Sequence, residues 1–173
     1  MKYCLLFVLL LLPFLGVSQI HKHGYHNYQW GQSSVKIKNI KNCNAKFSGD
    51  DFANCDVISK DSLFLNKYKF LFCNVRFYKD NLAELQVDIR HSDLAALLSQ
   101  FTREFGSPVI KEKKYQALDK ENQSIGYIWT YGDTQIFVIN DGVRVPAICI
   151  LSSINIRKMY PEHTQTLDKL IFE

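Results

Sequence analysis

One stretch of this chain carries a helical stripe, and almost everything else long enough to matter reads in the period of a strand. Leu94, Leu97, Leu98, Phe101 and Phe105 follow the i, i+3, i+4, i+7 spacing of a single buried helix face. Ser92 is placed to cap that helix and Asp93 favours its first turn. Gly106 and Pro108 stop it. Before it, Phe70 to Phe77 and Leu82 to Ile89 read as a hairpin around Lys79-Asp80-Asn81, with Leu85, Val87 and Ile89 dry and Glu84, Gln86, Asp88 and Arg90 wet. After it, Ile125 to Tyr131 and Thr134 to Ile139 meet at Gly132-Asp133, a two-residue turn of the II′ kind that sets Trp129 opposite Ile136 and Ile128 opposite Phe137. Asn140-Asp141-Gly142 turns the chain into the apolar run Val145 to Ile154, a strand expected to be covered on both sides. Tyr115 to Leu118 adds a further short strand, and Thr164 to Phe172 a closing helix with Leu167, Leu170 and Ile171 inward. The fold expected is α+β: an antiparallel sheet with one principal helix packed on one face.

The order of strands and helix implies one domain over residues 28–173, and 173 residues of which 47% are hydrophobic and 22% charged can bury a core without a metal. No linker, low-complexity tract or long charge block divides it. The net charge of +4 is too small and too scattered for a nucleic-acid groove.

Residues 1–18 hold one charge, Lys2, then the run Leu5 to Leu12 and the small residues Gly16 and Ser18. That is the pattern of a signal peptide cut before Gln19, its apolar run too short for a bilayer span. The protein is therefore expected to be secreted or periplasmic, with no transmembrane anchor after cleavage and residues 19–27 left as a flexible, histidine-containing terminus. A chain whose third residue is His21 has the amine, amides and imidazole that wrap copper(II) or nickel(II) in a plane, with His23 nearby. Cyclisation of Gln19 removes the amine. No other cofactor is implied.

Four cysteines remain in the mature chain. Cys43 and Cys55 flank a polar stretch, and a bridge between them closes a loop of about a dozen residues worth roughly 3 kcal/mol. Cys73 and Cys149 lie in apolar strand-like runs, either as a second bridge stapling two strands or as two buried thiols; with both bridges the exported chain is four protons lighter than its reduced form. No C-x-x-C or H-x-x-x-H spacing favours zinc.

In the N-terminal third, Gly31-Gln32-Ser33 opens a weakly helical stretch, Ser34 to Ile40, which with the strands that follow makes a degenerate echo of the helix-plus-strands plan. This Gly-x-Ser opening, together with a helix ending in Phe105-Gly106-Ser107-Pro108, resembles the repeated units of small envelope proteins. The β-lactamase inhibitor proteins and the small lipoprotein of the outer-membrane assembly machinery are examples. The resemblance spans residues 28–154 by element order and departs from the lipoprotein in lacking a lipobox. It implies a non-catalytic binding module.

Catalytic patterns fare worse. Gly31-Gln32-Ser33-Ser34-Val35 lacks the second glycine of a nucleophile elbow, and the adjacent residues His91-Ser92-Asp93 project apart and cannot relay a proton. Asp50-Asp51 and Glu121 sit in expected loops. The chain reads as no enzyme; the alternative is a small hydrolase whose site gathers distant residues around His91 or His163. The leading expectation is a binding protein of inhibitor, immunity or envelope-assembly type, working through a protein partner or self-association. With Cys73, Val75 and Phe77 facing the helix, Phe70 and Phe72 point to the other face of their strand and are the residues expected to meet that partner.

Overall fold

Strands are what the alternating pattern forms. The computed structural model describes residues 19–44, 52–57, 63–65, 67–117, 120–141 and 147–159. They run through β1 (Ile20–His21), β2 (Gly24–Tyr25), β3 (Tyr28–Gln29), β4 (Ile40–Asn44), β5 (Phe52–Val57), β6 (Leu63–Phe64), β7 (Tyr68–Tyr78) and β8 (Asn81–Ile89). Helix α1 (Leu94–Phe105) follows, then β9 (Val109–Ala117), β10 (Lys120–Tyr131), β11 (Thr134–Asp141), β12 (Ala147–Ser153) and the short α2 (Ile154–Met159). The expected signal peptide at 1–18, the glycine of the Asn140-Asp141-Gly142 turn and the expected helix at 164–172 lie outside the described residues.

The main sheet is antiparallel, in the order β4-β5-β7-β8-β12-β11-β10-β9, with β6 attached to the start of β7. This is the α+β architecture expected, with one principal helix. Both tight turns behave as their residues require. Lys79 and Asp80 have φ of 45° and 62°, so the turn is two residues long and Tyr78 pairs with Asn81. Gly132 alone carries the positive φ (64°) of the second turn, and Trp129 pairs with Ile136 and Ile128 with Phe137. Strand β12 is covered on both sides: Cys149 and Leu151 face one way and Ile150 and Ser152 the other, all buried. Strand β9 is longer than the segment Tyr115 to Leu118, because it pairs along β10 from Ile128 back to Lys120. Neither partner alternates in that half, so pairing rather than propensity makes it a strand, and Asn122-Gln123-Ser124 lies in β10 rather than in a turn.

Across the sheet the inner face is built in transverse rows. One is Cys73, Val87, Cys149 and Val138; the next is Val75, Leu85, Leu151, Ile136 and Trp129. Helix α1 buries Leu94, Leu97 and Phe101 against this face, and Leu98 and Phe105 pack beside them. The helix is entered through a 3-10 turn, His91–Asp93, with no side-chain cap, so the bond expected of Ser92 is not made. It ends where the Gly106 amide (φ 85°) donates to the Thr102 carbonyl, and the Trp129 indole N–H donates to the Gly106 carbonyl at 2.8 Å. The Phe101 ring meets Phe64, Phe105 and Trp129 with centroids 6.5, 5.8 and 5.4 Å away.

The N-terminal residues overturn an expectation. Instead of a free terminus over 19–27, the chain folds into the meander β1-β2-β3, and Ile20 is only 1% exposed. Two apolar side chains, Ile20 and Tyr25, join the main core, and the meander is bonded to both hairpin ends of the large sheet. The Asp133 amide donates to the Lys22 carbonyl at 2.8 Å, and Thr134 Oγ1 donates to the His21 carbonyl while accepting from the Trp30 indole. The Gly31 amide donates to the Leu82 carbonyl and the Leu82 amide to the Gln32 carbonyl. The helix expected over 34–40 shrinks to a 3-10 turn, Ser34–Lys36, because Ser33 and Ser34 turn their hydroxyls to Asp80 instead of capping it.

On the outer face, Arg76 pairs with the buried Glu84 at 2.8 Å, so one residue of the wet edge of β8 is dry. Beside them lies a second apolar cluster of Phe137 and Ile150, with Ile128, Ile139 and Ile148. Arg157 of α2 stacks over Phe137 at 5.1 Å and donates to Gln135 at 2.7 Å. Among the described residues no helix is long and apolar enough to cross a membrane.

Truncating Phe101 to alanine leaves a cavity at the meeting point of three rings and should cost about 3 to 5 kcal/mol, whereas His91→Ala, on the exposed turn, should change stability by less than about 0.5 kcal/mol. Urea titration of the two variants checks the order.

Candidate functional site

The site begins with an irregularity in β7. Between Phe70 and Phe72 the pairing with β8 shifts: Phe70 stands opposite Ile89 and Phe72 opposite its neighbour Asp88. A bulge inserts one extra residue and flips the alternation. The two phenylalanines expected to share one face are therefore separated. Phe70 turns inward with Tyr68 and packs on the core, while Phe72 (43% exposed) stands outside next to Leu71 (55% exposed).

Phe70 borders a cavity of about 480 Å³ between the main sheet and the N-terminal meander. Its floor is Phe70 and Cys73 of β7, Leu85 and Val87 of β8, and Phe64; Val57 of β5 stands at one side. Tyr25 and Tyr28 wall it, and His26, Lys36 and Lys38 stand at its mouth. The space exists because the covering strands are two residues long, about 7 Å each, and cannot span the inner face of strands nine to eleven residues long.

The polar groups here are of two kinds. Tyr25 is fixed: its hydroxyl donates to Gln19 Oε1 at 2.9 Å, accepts from the Leu65 amide at 3.1 Å, and burial pushes its pKa up to about 12. Tyr28, also raised by burial and by Cys73, makes no side-chain hydrogen bond among the described residues. Burial, with a contribution from Asp88, pushes the Cys73 thiol up to about 12, so at neutral pH it is a protonated, poor nucleophile. The charged side chains lining the cavity are Lys36 and Lys38; no carboxylate joins them among the described residues.

The histidine terminus does something other than wrap a metal. His21 and Ile20 pair with Gly24 and Tyr25, the His21 ring lies against the His26 carbonyl (3.2 Å from Nε2), and its Nδ1 accepts from the His23 amide at 3.4 Å. A planar chelate needs the amides and imidazole that β1 has already committed, and would pull Ile20 from the core. His23 remains exposed, and no group of three or more His, Cys, Asp or Glu that could hold a metal occurs among the described residues.

The second disulfide is also corrected. Cys73 and Cys149 are free, buried thiols. Both pair with Val87, so they lie two strands apart, about 9.5 Å, beyond the roughly 7 Å that a bridge can close. Burial, and then Cys73 itself, raises the Cys149 thiol well above the ordinary range. Cys55 is buried on β5, next to the strand that carries Cys43, whose side chain lies outside the described ones.

Sequence reading missed Tyr25, Tyr28, Phe64, Lys36 and Lys38 as site residues. A signal was present, since Tyr25-x-x-Tyr28 and Lys36-x-Lys38 put aromatic and cationic pairs on opposite sides of one short segment. Nothing local says that they close over β7. Ser33, far from any nucleophile role, donates with Ser34 to Asp80, and the Ser34 amide adds a third bond at 2.9 Å. Comparison with protein-family models, curated proteins and solved structures finds no match to this chain.

The three bonds hold the Asp80 carboxyl below its usual range. A depressed folded-state pKa gives stability that is present above the unfolded value of about 3.9 and is lost as pH falls through the folded one. Urea midpoints should therefore place Asp80→Ala below the native protein at pH 7, with the gap narrowing as the solution is acidified through the carboxylate range; a gap of constant size would show that the serine bonds owe nothing to the charge.

Proposed function

We propose that this chain is an exported, non-catalytic binding protein that takes the apolar part of a ligand into the cavity between its N-terminal meander and the main sheet. The observation that carries this reading is the cavity itself: about 480 Å³, with an aromatic and aliphatic floor and polar groups gathered at the mouth. Ligand pockets share that composition and run from roughly 300 to 1,000 Å³. The neutral Cys73 thiol and the absence of a carboxylate among the described lining residues support binding over chemistry. The neutral fluorophore N-phenyl-1-naphthylamine tests it. Saturable one-to-one binding is expected, weakened at least about fivefold in Phe70→Ser if that variant keeps its cooperative melt; no saturable binding to the folded native protein overturns the reading.

A second reading, contact with a protein partner or a second copy, is favoured by Leu71 and Phe72, two large apolar residues side by side on the bulge and both exposed. Phe72→Asp should leave the thermal melt nearly unchanged, because an exposed position tolerates a charge, and should abolish any association through that surface. Mass measurement on a size-exclusion column, paired with the melt, separates loss of association from loss of fold.

Export to a secreted or periplasmic location draws on residues 1–18 and on Cys55, which is disulfide-bonded. We assign Cys43 as its partner: Lys41 pairs with Asp56 and Asn44 with Asn54, which leaves Asn42 and Cys43 opposite Cys55 on the adjacent strand. Intact-mass analysis of exported protein should give a chain beginning at Gln19 and two protons lighter than its reduced form, with Cys73 and Cys149 alkylated only after unfolding. A deficit of four protons, or four free thiols, would contradict this assignment.

A further inference from the structure

We infer that the ligand of this cavity is an anionic amphiphile, a single apolar tail carrying one acidic head such as a carboxylate. The inference rests on the cavity being the binding site and names what enters it. The tail is set by the floor: Phe64, Phe70, Leu85 and Val87 offer no hydrogen bond, and the one polar atom among them, the Cys73 sulfur, is a weak partner held protonated by burial. The head is set by the mouth. Lys36 and Lys38 both reach it, two like charges that gain when an anion sits between them, and among the described residues no lining carboxylate competes for them. The Tyr28 hydroxyl, with no side-chain hydrogen bond among the described residues, adds a neutral donor on the same wall. A cationic head would meet these lysines at close range, and a neutral one would leave them as they are.

An extended polypeptide is disfavoured by the same geometry. A peptide that lies along a sheet takes its affinity from unpaired backbone groups at a strand edge. Strand β8 is interior to the sheet and paired on both sides along the floor, with β7 and β12, while β7 pairs with β8 and, from Asn74 to Tyr78, with β5. The backbone under Leu85 and Val87 is already paired on both sides, so what binds over it must bring few backbone polar groups of its own.

Three probes with the same ten-carbon tail and different heads test this: decanoate, 1-decanol and decyltrimethylammonium, each used to displace N-phenyl-1-naphthylamine from the full mature protein at low ionic strength. Decanoate should compete at a concentration about tenfold below that of the cationic probe, and about 0.5 M salt should narrow the difference. In the double variant Lys36→Ala, Lys38→Ala, at two exposed positions, the three probes should compete alike, each competition being scaled to the fluorophore affinity measured for that variant. Equal competition in the native protein, or a preference for decanoate that survives the double variant, overturns the acidic head while the bound fluorophore leaves the cavity reading standing. Failure of the fluorophore and of every probe to bind the folded protein overturns both.

Discussion

Pairing of β8 with β12 holds the two halves of the molecule together. Val87 against Cys149 and Leu85 against Leu151 join residues more than sixty positions apart, and no turn brings them into register. What enforces the pairing is burial: β12 has no charged residue from Ala147 to Ser153 and is covered on both faces, so an edge position would expose it. With β12 inserted there, the β4–β8 half and the β9–β11 half become one sheet, and α1, lying between them in sequence, has only the shared inner face on which to bury Leu97 and Phe101. Closing so long a loop costs entropy that no local contact offsets, so the central pairing and the helix are expected to form cooperatively.

The two tight turns at one end of that sheet do a second job. Asp80 of one binds Ser33 and Ser34, and the Asp133 amide and Thr134 hydroxyl of the other bind the carbonyls of Lys22 and His21. A side chain at Gly132 would stand 2.7 Å from the Lys22 Cβ, so glycine there serves the docking as well as the turn. Asp133 also accepts from the Asn155 amide and the Ser153 hydroxyl, which ties the start of α2 to the same point. The meander is thus anchored at the hairpin ends, and its short strands leave the floor beyond them uncovered. The cavity follows from where the roof is fastened.

What could be read from the sequence was what local chemistry decides. The stripe of α1, the Gly132-Asp133 turn and the register it imposes, and the dry side of β8 all follow from residues within a few positions of one another. The bulge at Phe70 could not be read this way, since Tyr68 to Tyr78 contains no glycine to mark it and the alternation on either side is intact. Its existence depends on pairing with Asp88 and Ile89 in the next strand. The N-terminal meander was hidden for a related reason: strands of two residues have no period, and Ile20 and Tyr25 gain their burial from the main core, Tyr25 against Phe64, which no local pattern announces. The reading of Cys73 and Cys149 as a possible staple failed by one strand, a distance set by topology alone.

The bulge also explains why one segment carries both surfaces that invite a ligand. In a regular strand Phe70 and Phe72 would share a face, and one environment would have to suit both. Inserting a residue places Phe70 over the cavity and leaves Leu71 and Phe72 outside, where burial returns nothing to the fold. A chain selected for stability alone gains by a polar residue at 72 and a filled space beside Phe70, because an exposed aromatic invites aggregation and an open apolar floor forgoes packing contacts. Both stand at one backbone irregularity, a kind of feature often found next to functional sites, and this is what supports the binding proposed for the cavity and the exposed pair.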